Sequence, residues 1–148
     1  MRLTGFTDYT LRTLIYLALQ PDRLATIADI AGAYGISVNH VMKVVHQLAV
    51  AGDIATTRGR RGGLRLARQA SNINIGQVVR RTEPDMALVV CLAPCQGCVI
   101  QDRCVLKRAL NDALAAFLAV LDQYTLADLV APRRELAELL GVVPPGQS

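Results

Sequence analysis

Apolar residues recur at helical spacing along most of this chain and alternate in only one stretch. From Phe6 to Gln20, Leu11, Leu14, Ile15, Ala18 and Leu19 fall on one face, and Pro21 stops the run, which predicts a helix. Thr7 or Asp8 can cap it; a carboxylate there suits the positive helix end. Thr26 is the expected cap of a short helix over Ile27–Tyr34, in which Ile27, Ile30 and Ala31 share a face. Gly35 supplies a turn. Ser37 then caps a longer helix to Ala51, with Gly52 just past its end. The alternating stretch follows: Ile54-Ala-Thr-Thr-Arg58 and Leu64-Arg-Leu-Ala67 read as two strands around Gly59-Arg60-Arg61-Gly62-Gly63. Helical spacing returns from Asn72 to Thr82, with Ile75, Val78 and Val79 inward and Pro84 as the stop. It returns again from Val105 to about Tyr124 and from Arg133 to Leu140. Between those two, Thr125-x-x-Asp128 is a capping box for a short helix that Pro132 ends.

A short helix, a glycine turn and a second helix make the helix-turn-helix pattern. The second helix is two-faced. Val41, Val44, Val45 and Leu48 form its apolar side; Asn39, His40, Lys43, His46 and Gln47 form the other, with no acid among them. An amide for adenine, a cation for phosphate or guanine and a capping Ser37 are what a major-groove reader needs. An ordinary amphipathic surface helix would look similar. The hairpin changes the balance, because a strand pair with arginines at its tip is a wing, able to enter the minor groove or grip phosphates. Charge points the same way. No acid occurs from Ile54 to Thr82, a stretch that holds Arg58, Arg60, Arg61, Arg65, Arg68, Arg80 and Arg81. A one-signed block implies a polyanionic partner, here double-stranded DNA.

With 148 residues and 52% hydrophobic content, the chain can bury one compact core. Tryptophan is absent and aromatics are scarce, which leaves Leu, Val, Ile and Ala to build it and favours helices. The longest predicted helix carries one stripe of Leu106, Leu110, Ala113, Phe117 and Val120 and a second of Leu114, Leu118 and Leu121. One stripe suffices to pack on the chain itself; two imply a partner helix and a homodimer. No apolar run is long enough to span a membrane, and the N-terminus lacks a signal-peptide core, so the expected location is cytoplasmic.

All the cysteines, Cys91, Cys95, Cys98 and Cys104, fall in one loop. In a reducing compartment a structural disulfide is disfavoured, leaving iron–sulfur ligation, zinc or a redox pair. Zinc usually joins two cysteine pairs a dozen or more residues apart. Cys95-Gln-Gly-Cys98 lacks the βαβ setting of a thiol oxidoreductase. No nucleophile–base pairing is legible, and an enzyme is not expected.

The combination resembles the IscR/NsrR family of dimeric winged-helix iron–sulfur regulators, over nearly the whole chain. The resemblance rests on Arg2-Leu-Thr-x-Phe6-Thr-Asp8-Tyr9, Asn39-His40-x-x-Lys43, and Arg58-Gly-x-x-Gly62-Gly63-Leu64-x-Leu66. It continues through Glu83-Pro84, Cys98-x5-Cys104-x-Leu-Lys107-x-Ala-Leu110, and Tyr124-Thr-Leu-Ala-Asp-Leu-Val130. It implies Cys91, Cys98 and Cys104 as ligands of an iron–sulfur cluster, 4Fe-4S in preference to 2Fe-2S. Six residues separate Cys91 from Cys98 where the family usually has five or fewer; Cys95 is therefore an extra thiol and an alternative ligand. Lys107 stands where the IscR branch has a histidine, which favours the NsrR branch and a repressor relieved by nitric oxide. In one subgroup of that branch an aspartate of the partner subunit completes the ligand set, and Asp8 matches it. Such a carboxylate would be a weak corner open to nitric oxide and a tie between subunits.

The expected protein is mainly α. A winged helix-turn-helix domain with a two-stranded β wing spans 1–83, and a cluster loop spans 84–104. A long dimerisation helix with C-terminal helices spans 105–140, and a loose tail 141–148. The alternatives are an IscR-type iron–sulfur or redox-status regulator and a zinc-stabilised DNA-binding protein.

Overall fold

The computed structural model describes residues 2–89, 92 and 98–142. The protein is mainly helical, and its only sheet among those residues is a two-stranded antiparallel hairpin. Helix α1 (Gly5–Leu19) runs through the middle of the core, and Leu14, Leu17 and Leu19 are almost fully buried. So are Thr7, Thr10 and Thr13, which apolar periodicity alone does not mark as core. Their burial is tolerable where the hydroxyl has a partner. Thr10 donates to the Phe6 carbonyl at 2.8 Å, and Thr7 donates to Thr82 Oγ1 at 2.9 Å.

The cap of α1 is Thr4, not Thr7 or Asp8. Thr4 has extended backbone geometry, and its hydroxyl accepts the Thr7 N–H at 3.3 Å. Glu83 fixes that start from outside, accepting the Thr4 N–H at 2.8 Å and its hydroxyl at 3.0 Å. Asp8 therefore lies inside the first turn.

Helix α2 (Ile27–Tyr34) opens with a reciprocal capping box between Thr26 and Asp29. Gly35, at φ 63°, closes it in the left-handed region that glycine adopts without penalty. Helix α3 (Val38–Val50) then starts at Ser37 and buries Val41, Val44, Val45 and Leu48 against α1 and α2. Strands β1 (Ile54–Thr57) and β2 (Gly63–Leu66) pair with Ile54 opposite Leu66 and Thr57 opposite Gly63. Leu64 also exchanges backbone hydrogen bonds with Ala25, at 3.0 and 2.7 Å, which fastens the hairpin to the segment before α2. A Cβ at Gly63 would sit 2.8 Å from the Ala25 carbonyl oxygen, so the close approach needs glycine.

Helix α4 (Ile75–Thr82) begins three residues later than its hydrophobic pattern suggests. A 3-10 turn covers Ala70–Asn72, and Asn74 caps the helix. The reason is long-range. Ile73 is extended, its carbonyl accepting the Leu126 N–H at 2.9 Å, while Ile75 donates to the Tyr124 carbonyl at 3.0 Å. The same contacts end α5 (Val105–Leu121) short of Tyr124: Asn74 Nδ2 donates to the Asp122 carbonyl at 2.7 Å. Short helices α6 (Leu126–Leu129) and α7 (Arg133–Leu139) return Leu126, Val130 and Ala137 to the core beside α1. Val142 is buried too and donates to the Ala137 carbonyl at 2.9 Å. Helix α5 contributes less, with Leu118 and Leu121 half-buried against the core. It has no buried residue over its 17 positions, although eight of them carry the apolar stripes.

Candidate nucleic-acid interface and metal centre

The exposed face of α3 carries Asn39, His40, Lys43, His46 and Gln47. Ser37 has two tasks there. Its hydroxyl accepts the His40 N–H at 3.3 Å and lies 2.8 Å from His40 Nδ1. The His40 ring also packs on Tyr9 of α1, with centroids 5.5 Å apart. His40 is thus held from two sides, whereas no side-chain hydrogen bond or ion pair engages Asn39 or Lys43 among the described residues. Arg58, Arg60 and Arg61 are exposed at the hairpin tip. The turn itself is tight: Gly59 has φ 108°, Gly62 donates to the Gly59 carbonyl at 2.9 Å, and a Cβ at Gly62 would overlap the Thr57 carbonyl.

The basic block divides into two groups. Arg68 and Arg81 both pair with Asp53, the former at 2.9 Å, and Arg80 pairs with Asp122 at 2.7 Å. Arg58, Arg60, Arg61 and Arg65, on or beside the hairpin, have no ion pair among the described residues. Asp53 is only 2% exposed, and two guanidiniums offset the cost of burying its charge. Its backbone N–H donates to the Leu48 carbonyl and its carbonyl accepts from Ala67, at 3.0 and 2.9 Å. One residue therefore joins the end of α3, the base of the hairpin and, through Arg81, the last turn of α4. Sequence reading missed this joint. Its available signal was an acid placed directly before an acid-free basic stretch.

Asp8 is half-exposed and pairs with Arg12 Nε at 3.0 Å. Arg12 also lies 5.6 Å from the Tyr34 ring centroid. Burial pushes the Tyr34 hydroxyl up to about 12 despite the opposing effect of Arg12. Asp8 borders a concavity lined by Arg2, Leu3, Thr4, Gly5 and Leu11. Glu83 anchors the same helix end. Burial raises its carboxyl pKa, but the adjacent Thr7 hydroxyl and the Thr4 N–H and hydroxyl that donate to it outweigh that and leave it below its ordinary value.

Cys91 and Cys95 lie outside the described residues. Cys98 is exposed and Cys104 half-buried, and both are free thiols. Cys104 caps α5, its sulfur accepting the Lys107 N–H at 3.4 Å. A sulfur that accepts a backbone N–H at the positive end of a helix is suited to metal-bound thiolate. Among the described residues, no three His, Cys, Asp or Glu side chains of one chain converge as a metal site. The concavity at Cys104 is lined by Asp102, Arg103, Lys107, Arg108 and their neighbours, and shares no residue with the one at Asp8. No helix among the described residues is long and apolar enough to cross a membrane.

The chain is similar to known transcriptional regulators. Residues 3–132 match the Rrf2 family, described as an iron-dependent transcriptional regulator. The HTH-type transcriptional regulator NsrR of Bacillus subtilis (strain 168) is 50% identical over 142 residues, covering 95% of this chain and 97% of the relative. The regulator of the same name from Shouchella clausii (strain KSM-K16) is 48% identical over 142 residues, with 95% of each chain covered. Among solved structures, T. potens IscR superposes with a TM-score of 0.73 at 23% identity, over 92% of this chain and 90% of that one. The oxidized form of Staphylococcus aureus CymR gives 0.71 at 24% identity, over 88% and 97%. These two share the winged-helix fold.

Proposed function

The chain belongs to the Rrf2 family of iron-dependent transcriptional regulators, and from that premise we propose that it is a homodimeric repressor whose operator binding depends on an iron–sulfur cluster and is relieved by nitric oxide. The observation that carries the reading is the double duty of α1. Asp8, the candidate ligand, and Tyr9, which packs on His40 of the recognition helix, are consecutive residues near its start. A change at the ligand is a change at the base of the DNA reader.

Cys91, Cys98 and Cys104 would hold the cluster, with Asp8 as a carboxylate donor and Cys95 as the spare thiol. When bound, the cluster supplies iron that nitric oxide can attack. The chain's own residues do the rest. Arg12 steadies the Asp8 carboxylate and competes for it. Glu83, with Thr4 and Thr7, fastens the start of α1 to the end of α4, from which the chain runs into the cysteine loop. Asn39, His40 and Lys43, presented from Ser37, would face base edges, while Arg58, Arg60 and Arg61 would meet phosphates or the minor groove. Paired α5 helices would bury the stripe on which Leu106 and Val120 are exposed in one chain and set two recognition helices about 34 Å apart, one turn of DNA.

The test is made on anaerobically purified protein. It should be brown, bind one DNA sequence tightly, and release it when nitric oxide is added. Cys91→Ala, Cys98→Ala and Cys104→Ala should each lose the colour, and Cys95→Ala should keep it. Colourless, zinc-containing protein that binds DNA regardless of nitric oxide would overturn the proposal in favour of a zinc-stabilised regulator.

A further inference from the structure

The first two turns of α3 leave two apolar side chains in water. Val38 is 47% exposed and Met42 is 50% exposed. They stand four residues apart, so they stack along one edge of the helix, beside Asn39 and Lys43. The core does not need them: Val41, Val44, Val45 and Leu48 already form the buried face. Single exposed apolar residues are ordinary. These two border an acid-free polar stripe at the helix end that enters the groove most deeply.

We propose that Val38 and Met42 read the 5-methyl groups of thymines in the operator's major groove. The inference rests on the DNA-binding reading above and adds a specificity to it. The only apolar feature that base pairs display in that groove is the thymine methyl, and aliphatic contact with it discriminates thymine from cytosine and from uracil. The surroundings exclude a general protein-binding patch. Lys43 lies alongside, the hairpin arginines follow, and the exposed face of α3 has no acid, so a polyanion fits this edge and an apolar protein surface does not. The two side chains differ in kind. Val38 is β-branched and stiff, giving a fixed contact. Met42 is flexible and polarizable, able to follow a methyl whose position varies. Four helical residues span about 6 Å, close to two base steps of about 3.4 Å each. The two methyls should therefore lie about two steps apart, next to the base that Asn39 contacts.

The experiment uses the duplex that cluster-loaded wild-type protein selects from a random-sequence pool. Thymines of one half-site are replaced by uracil one at a time, which deletes the methyl and keeps every hydrogen-bonding group. Two positions should each lose about fourfold in affinity, the worth of one buried carbon. Met42→Ala should bind with no further loss from uracil at one of them, and Val38→Ala at the other. Met42→Leu should restore the sensitivity. Both residues are exposed, so folding of the variants is checked by circular dichroism and melting. Uracil without effect at every position would overturn this inference while leaving operator binding intact. So would sensitivity that persists in both alanine variants. Failure to select any sequence would overturn the DNA-binding reading, and this inference with it.

Discussion

Thr4 and Asp8 lie one turn apart on α1 and answer to different partners. Thr4 caps the helix and is gripped by Glu83; Asp8 pairs only with Arg12, at the surface. Removing a cap costs about 1 kcal/mol, whereas an exposed pair of this spacing contributes about 0.5 kcal/mol or less. Thr4→Ala should therefore lower the melting temperature and leave the cluster spectrum alone. Asp8→Ala should do the reverse, shifting the visible spectrum and the rate of reaction with nitric oxide at nearly unchanged stability. A spectrum of Asp8→Ala identical to wild type would remove Asp8 from the ligand set. Glu83 adds a pH signature. Its carboxyl lies below the ordinary value in the folded chain. Its contribution is thus complete above the ordinary carboxylate pKa and disappears as pH falls through the folded one. Thermal melts from neutral pH down to about pH 3 should therefore show a shallower acid-side decline in Glu83→Gln than in wild type, once overall stability is matched.

Elements with a local signal were legible in the sequence. The helix-turn-helix, the hairpin and α5 each repeat their own period within a dozen or so residues, and Ser37, Gly35 and Gly52 mark their ends. What failed was set by distant partners. Thr4 outranks Thr7 as a cap because Glu83, 79 positions away, holds it. Helix α4 starts late because Ile73 pairs with the segment before α6. The Asp53 joint likewise depends on pairings 15 and 28 positions away, so charge counting alone could not separate Arg68 and Arg81 from the hairpin arginines of the acid-free block. These two groups should separate experimentally. Replacing Arg60 and Arg61 by Ala should leave melting unchanged and flatten the dependence of log affinity on log salt by about 0.9 for each phosphate that is no longer neutralised. Asp53→Ala should instead destabilise the fold by roughly 3 kcal/mol, because it leaves two guanidiniums facing a buried site and unties the hairpin from α3 and α4. Equal salt slopes for wild type and the double arginine variant would place the hairpin off the DNA.

At the scale of the whole molecule, the proposed homodimer would draw on two surfaces of each chain. Helix α5 turns Leu118 and Leu121 toward the core but leaves Leu106 and Val120 of its other stripe exposed, and the candidate ligands fall into separate concavities, Asp8 in one and Cys104 in another. A second copy would complete both if α5 pairs and the carboxylate of one subunit reaches the thiols of the other. Dimerisation alone cannot distinguish that arrangement from a site completed within each chain, because both need the dimer to span two major grooves. A mixed dimer can. One subunit carries Asp8→Ala and the other Cys98→Ala. With the carboxylate given across the interface, one site keeps its cysteines and its aspartate, and the other loses Cys98 and Asp8 together. Half the iron of wild type should remain, reacting with nitric oxide at the wild-type rate. With the carboxylate given within the chain, each site is damaged once. The subunit retaining its cysteines should then hold a cluster with the altered rate of Asp8→Ala, and no fraction should react normally. That second result would end the account in which losing the cluster cuts a tie between subunits. It would leave the contact of Tyr9 with His40 as the remaining route from ligand to operator.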